Sequence, residues 1–191
     1  MTVESRKFGV YQNGFCSFKD GMMLDRLDLE PVFFAPFVSS VMRVDPQWID
    51  YNGHLNMAYY NVLFDKAVDE AYALIGIGED YLKKRKHSTF TVEVHVRYLR
   101  ELHANDPVRV TFQLLDFDSK RLHFFKQLFH ATEGWVSATS EILSLHIDMQ
   151  STKTAPFPDD VKKTLRRMKE SHARLPRPEA AGKRIAMPEK G

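Results

Sequence analysis

The 191-residue chain contains a single cysteine, Cys16. One thiol cannot form an intramolecular disulfide, which fits a reducing, cytoplasmic setting. Nothing beside Cys16 would lower its pKa, so it is a poor nucleophile. No window approaches the ~18 consecutive apolar residues of a membrane span. The N-terminal stretch carries Glu4, Arg6, Lys7, Lys19 and Asp20, with no long apolar run of the secretory kind. An excess of one charge is missing too: 27 Lys and Arg face 25 Asp and Glu, a net charge of +2, which gives no reason to expect a nucleic-acid partner. The eight histidines include no pair at metal-ligand spacing backed by a cysteine or acid cluster, so no metal is expected. No phosphate-cradling glycine loop, Gly-x-Ser-x-Gly elbow, internal repeat or low-complexity tract is found.

What is present is enough for a sizeable core, with 43% hydrophobic and 12% aromatic residues. Residues 1–37, broken by glycines and prolines, read as an N-terminal extension. The composition of residues 37–44 is strand-like and Pro46 ends it. From Met57 to Ile75, Tyr60, Phe64, Ala67, Ala71, Leu74 and Ile75 recur at helical spacing, with Asp65, Asp69 and Glu70 off that stripe. Gly76 and Gly78 supply the stop. Four strands follow. Phe90, Val92, Val94, Val96 and Tyr98 alternate with polar residues, as do Val108, Val110, Phe112 and Leu114 with theirs. Residues 122–130 and 135–148 are the third and fourth. A C-terminal helix spans about 159–174, with acids at its start and bases near its end, followed by an irregular tail. The division is therefore an extension (1–37), a domain (38–150) and a C-terminal helix and tail (151–191). One strand, a long helix and four antiparallel strands bury their apolar faces most simply as an α+β hot-dog, a five-stranded sheet wrapped around one helix. The edge strand of such a sheet invites pairing with a second copy, as a homodimer or homotetramer.

The segment Trp48-Ile-Asp-Tyr-Asn-Gly-His-Leu-Asn-Met-Ala-Tyr-Tyr60 carries the chemistry. Asp50 lies in a short polar turn with Gly53, and Asn56 is a good N-cap for the helix. The unpaired N–H groups of a helix start can hold a developing oxyanion, and a carboxylate beside them can act as nucleophile or as general base toward water. The bland alternative for Asp50 is that it simply caps the turn, as Asp in a tight loop usually does. His54 can contact substrate or satisfy the turn backbone.

Asp50-Tyr-Asn-Gly-His-Leu-Asn56 with Tyr60, together with Val94-His-Val-Arg-Tyr98, Glu101 and Asp106-Pro107, resembles hot-dog acyl-CoA thioesterases of the 4-hydroxybenzoyl-CoA thioesterase type over about residues 38–150. Trp48 to His54, Ser119-Lys-Arg-Leu-His123 and Leu175-Pro-Arg-Pro-Glu-Ala-Ala-Gly182 are similar to betainyl-CoA thioesterases, which occur alone or fused to carnitine dehydrogenase. The resemblance implies that Asp50 is the catalytic carboxylate and that the Met57 amide polarises the thioester carbonyl; His54 and Asn56, the latter by capping the helix and fixing the oxyanion site, are the further catalytic candidates. It implies an acyl-CoA substrate, with coenzyme A part of that substrate and no separate cofactor.

Trp48, Tyr51, Tyr59 and Tyr60 surround the acid. They suit an aromatic cage for a quaternary ammonium or ordinary core packing, the latter favoured for Tyr60. Glu93 could offset a substrate cation or lie solvated, and Lys120 and Arg121 could meet coenzyme A phosphates or form a solvated hairpin. Two rival functions stay open: a hot-dog enoyl-CoA hydratase or dehydratase, against which the acid ahead of the helix argues, and a non-catalytic acyl-CoA-binding protein.

Overall fold

The computed structural model describes residues 35–187. Most of the expected N-terminal extension lies outside them. Two short strands, β1 (Phe37–Val38) and β2 (Met42–Arg43), both pair antiparallel with β4 (Pro107–Phe117). They are one interrupted strand. At the break, Ser39 donates its amide to the Val110 carbonyl and its hydroxyl accepts from the Val110 amide.

Helix α1 (Met57–Ile75) has the expected bounds. The Asn56 side chain accepts from the Ala58 amide at its start, and Gly76 ends it at φ +82°, a left-handed conformation that glycine adopts without strain. Its buried face is Tyr60, Leu63, Phe64, Ala67, Val68, Ala71, Tyr72 and Ile75. Leu74, placed on that stripe by spacing, is half exposed. A short helix α2 (Glu79–Arg85), not among the expected elements, leads into β3 (His87–Tyr98). Strands β5 (Arg121–His130) and β6 (Val136–Asp148), a two-residue β7 (Lys153–Thr154) and α3 (Asp159–His172) complete the chain.

The strand order is β1-β4-β5-β6-β3, with β2 added on β4 and β7 on β6. This is a hot-dog: the inner face of the antiparallel sheet wraps α1. Two apolar clusters fill the interior. One joins Val68 to Ile75 of α1 with Phe112, Leu122, Phe124 and the α3 residues Val161, Leu165 and Met168. The other joins Tyr60, Leu63 and Phe64 with Leu55, Leu102, Val108 and Leu128.

Strand β3 forms the edge of the sheet, and its apolar residues are not covered: Phe90, Val92 and Val94 are each about half exposed. Its alternation is also not continuous. The register with β6 shifts between Thr91 and Glu93, so Val92 is an inserted bulge residue. Val94 pairs with Ile142 on the inner face, whereas Phe90 pairs with Leu145 on the outer one. The five-residue apolar series seen in the sequence is thus split between two faces.

Candidate active site

The turn ahead of α1 is closed from three sides. Ile49 and Leu55 form an isolated antiparallel bridge. Inside it, the Asp50 amide donates to the His54 carbonyl at 3.0 Å and the Gly53 amide to the Asp50 carbonyl at 3.0 Å. Gly53 sits at φ +86° with open space where a Cβ would go, so conformation, not crowding, calls for glycine there. The Leu55 amide donates to the Leu102 carbonyl and the Asn56 amide to the Trp48 carbonyl. The buried Leu55 side chain anchors the turn in the second apolar cluster.

The turn positions one acid and one amide. Asp50 Oδ1 accepts from the Asn52 amide at 2.8 Å, so the turn-capping role is real. It uses only that oxygen, because Oδ2 accepts no hydrogen bond among the described residues. The first amide of α1, on Met57, likewise has no acceptor among them, while Ala58 and Tyr59 donate to Asn56. A free carboxylate oxygen and a free helix-start N–H, seven residues apart across one rigid turn, are the two functions that acyl transfer needs: a base or nucleophile and an oxyanion donor.

His54 stands between two acids, its Nδ1 3.9 Å from Asp50 Oδ1 and its Nε2 4.0 Å from Glu101 Oε1. Both separations exceed hydrogen-bonding distance. In the sequence, Glu101 stands out only as part of the motif that carries the resemblance. Its place beside His54 depends on the Leu102–Leu55 bond, which no local pattern reveals. The Tyr98 hydroxyl donates to the Met57 carbonyl at 3.2 Å and so ties the end of β3 to the start of α1. Tyr60 packs edge-on against Tyr98 at 5.0 Å. Burial raises the Tyr60 pKa, and the nearby Ser137 side chain and Leu102 backbone work against that rise.

The Thioesterase-like superfamily profile matches residues 44–165. The chain belongs to that superfamily. It is 38% identical to the betainyl-CoA thioesterase of Pseudomonas aeruginosa over 143 residues, which cover 75% of this chain and 90% of that protein. It is also 38% identical over 143 residues to the L-carnitine dehydrogenase/betainyl-CoA thioesterase of Rhizobium meliloti, covering 75% of this chain but 29% of that much longer protein. A hypothetical protein of Staphylococcus aureus, solved in complex with CoA, superposes with a TM-score of 0.75 at 27% identity, covering 82% of this chain and 98% of that one. The expected hot-dog fold and the reading as a thioester hydrolase are borne out by these matches.

The remaining candidates of this superfamily member fall into separate groups. Trp48 and Tyr59 stack at 5.3 Å and 8°, with Lys66 Nζ 5.5 Å from the Trp48 ring. Tyr51 is 98% exposed at the rim of the turn. Tyr60 is in the core. The four rings therefore do not close one cage within the protomer. Glu93 pairs with Leu143 on the outer face of the sheet, away from α1. It lines an outer cleft of about 650 Å³ with Arg121, His123, Glu141 and the tail residues Gly182 and Lys183. This cleft is therefore not where Asp50 and Met57 lie. Glu141 is engaged in it, accepting from His123 Nε2 at 2.7 Å and from the Gly182 amide.

Arg121 is paired with Asp118 at 2.6 Å. It lies level with Phe90, whereas Leu128 lies level with Tyr98 near the helix start. Those seven residues along β5 span roughly 23 Å, so Lys120 and Arg121 do not reach the Asp50 turn of their own protomer. Among the described residues, no three His, Cys, Asp or Glu side chains cluster as metal ligands, and no helix is long and apolar enough to cross a membrane.

Proposed function

We propose that this protein hydrolyses acyl-CoA thioesters at the Asp50 turn, with betainyl-CoA as substrate. The observation that carries the reading is the Met57 amide at the start of α1, which has no acceptor among the described residues, on the same turn as Asp50, whose Oδ2 accepts no hydrogen bond among them. The thioester carbonyl oxygen takes a hydrogen bond from Met57 N–H. Asp50 accepts a proton from water as the water oxygen adds to the carbonyl carbon, and the oxyanion that forms is held by the same amide. Collapse breaks the C–S bond, and the coenzyme A thiolate takes up the proton. Direct attack by Asp50, giving an acyl anhydride that water then opens, uses the same groups. Entry of ¹⁸O from solvent into Asp50 marks that second route. Every step uses this chain's own residues, with coenzyme A entering only as part of the substrate. The naming of the bacterial relatives as betainyl-CoA thioesterases supports that acyl group, as do the stacked rings of Trp48 and Tyr59, which flank the Asp50 turn in sequence.

The active unit in this reading is a cytoplasmic dimer. The exposed edge strand β3 pairs with β3 of a second copy, which covers Phe90, Val92 and Val94. Two-fold pairing is antiparallel, so the far end of the partner sheet, including its 118–121 hairpin, comes beside Tyr98 and Met57. Lys120 and Arg121 would then serve the coenzyme A phosphates of the neighbouring site.

The test is free-thiol release from a panel of acyl-CoA thioesters, betainyl-CoA included, by wild type and Asp50→Asn. The expected result is fast release by the wild type, best on betainyl-CoA, and a loss of about 10²-fold or more in the variant. Equal turnover by both proteins would show that Asp50 is not the acid.

A further inference from the structure

Lys126 is the anomaly of the interior. It lies on the inner face of β5, is 2% exposed, and sits where the two apolar clusters meet. Its Nζ is 4.9 Å from the Phe64 ring and 5.6 Å from the Phe124 ring. No hydrogen bond to it is found among the described residues. Asp65 on α1 acts on it only through space, and burial dominates, pushing the ammonium down to about 7. Directly across the sheet stands Ser140, fully buried, whose hydroxyl has no hydrogen-bond partner. Lysine is almost never buried unless paired, and each unpaired buried polar group costs stability. A buried lysine without a hydrogen bond among the described residues, beside a buried hydroxyl without a partner, points to a function that needs polarity there.

Their position says which function. Lys126 pairs with Ser140, and Ser140 with Val96 of β3, so the three form one row across the inner face. Two residues further along β3 is Tyr98, whose hydroxyl bonds to the Met57 carbonyl. That step is about 6.7 Å. Along α1, Phe64 over Lys126 lies one turn beyond Tyr60, which touches Tyr98, a rise of about 6 Å. Both rulers put the polar row one layer deeper than the helix start. An acyl group whose carbonyl rests on Met57 N–H and whose chain runs between α1 and β3 meets this row after about five carbons.

We propose that Lys126 and Ser140 are a polarity filter for the acyl group: they set specificity by rejecting alkyl chains long enough to reach them and leave short or polar acyl groups unaffected. This rests on the thioesterase reading above. An alkyl chain that reached the row would put methylenes where only a hydrogen-bonding group could satisfy Lys126 and Ser140, and would supply no hydrogen bond itself. Specificity of this kind comes from the penalty on the wrong ligand.

The experiment compares wild type, Lys126→Met, Ser140→Ala and Lys126→Gln in two assays. The first is kcat/KM on acetyl-, betainyl- and octanoyl-CoA. The second is binding of the non-cleavable thioethers S-ethyl-CoA and S-octyl-CoA by titration calorimetry. Methionine conserves the volume of Lys126 and keeps the core filled. Lys126→Met and Ser140→Ala are expected to raise the octanoyl-to-acetyl ratio, and the matching octyl-to-ethyl affinity ratio, by at least about tenfold. Lys126→Gln, still polar, should keep the wild-type ratio. A purely structural lysine would move all substrates together. Unchanged ratios in Lys126→Met and Ser140→Ala overturn the filter, whether or not thioesters are cleaved. Shifted thioether ratios without any thioester cleavage uphold the filter as a binding device and overturn the hydrolase reading alone.

Discussion

At the scale of single residues, the proposed chemistry divides between a side chain and a backbone group. Only the first is open to ordinary substitution. The Met57 amide can nevertheless be deleted. Proline lacks the N–H and is tolerated at the first helical position, where that N–H is unpaired within the helix anyway. The residue before it must be extended, and Asn56 already is, at φ −62° and ψ 139°. Met57→Pro is expected to leave the circular-dichroism spectrum and thermal midpoint close to wild type while kcat falls about 10²- to 10³-fold, the loss typical of one oxyanion donor. Retained kcat in a folded Met57→Pro protein would mean that the carbonyl is polarised elsewhere. The motif carrying Asp50, Gly53, Asn56 and Met57 was readable in the sequence because its logic is local: a turn that needs a positive φ, a cap and a helix start. Glu101, Tyr98 and Lys126 were not, because each gains its meaning from a contact across the fold.

At the scale of elements, helix α1 was legible to the residue because apolar spacing, an Asn cap and a Gly stop agree. Strand β3 was legible as a strand but not in its faces, since a bulge at Val92 reverses the alternation without any mark in residue type. Least visible was the joint between α2, β6 and the 155–157 segment. There His146, fully buried, takes a hydrogen bond from the Tyr81 hydroxyl on Nε2 at 2.8 Å while Nδ1 donates to the Ala155 carbonyl at 2.8 Å. That arrangement fixes one neutral tautomer. Protonation would put a second N–H against the Tyr81 oxygen, and burial first, then the nearby His87, lower the pKa of His146 below its ordinary 6.5. A base held neutral in the fold binds fewer protons than it does unfolded, between its lowered pKa and 6.5. This contribution to stability is therefore whole above about pH 6.5 and is lost progressively as the pH falls below it. Thermal midpoints measured from pH 8 to pH 5 should fall below pH 6.5 in the wild type and fall less steeply in His146→Phe. Parallel slopes for the two proteins would place the acid sensitivity elsewhere.

At the scale of the whole molecule, the protomer has a sheet with one edge left apolar and a site whose candidate phosphate ligands lie at the wrong end. Both features have one remedy. Long, exposed, apolar edge strands are rare in stable monomers because they template pairing, and antiparallel pairing of two β3 strands would cover Phe90, Val92 and Val94 while bringing the partner's 118–121 hairpin to the helix start. Phe90 is the residue with which to test this. It lies on the outer face, away from α1, and is 48% exposed in the protomer, so a charge there costs a lone protomer little. Phe90→Asp would set two carboxylates in an apolar seam of a paired sheet. The expected outcome is a shift from dimer to monomer by light scattering, retention of the far-ultraviolet spectrum, and a fall in kcat/KM that reverses at protein concentrations high enough to restore the dimer. A fully active monomer would show that one chain builds the whole site and would remove Lys120 and Arg121 from it. An active dimer unaffected by the substitution would move the interface away from β3, leaving the apolar edge to some other occupant.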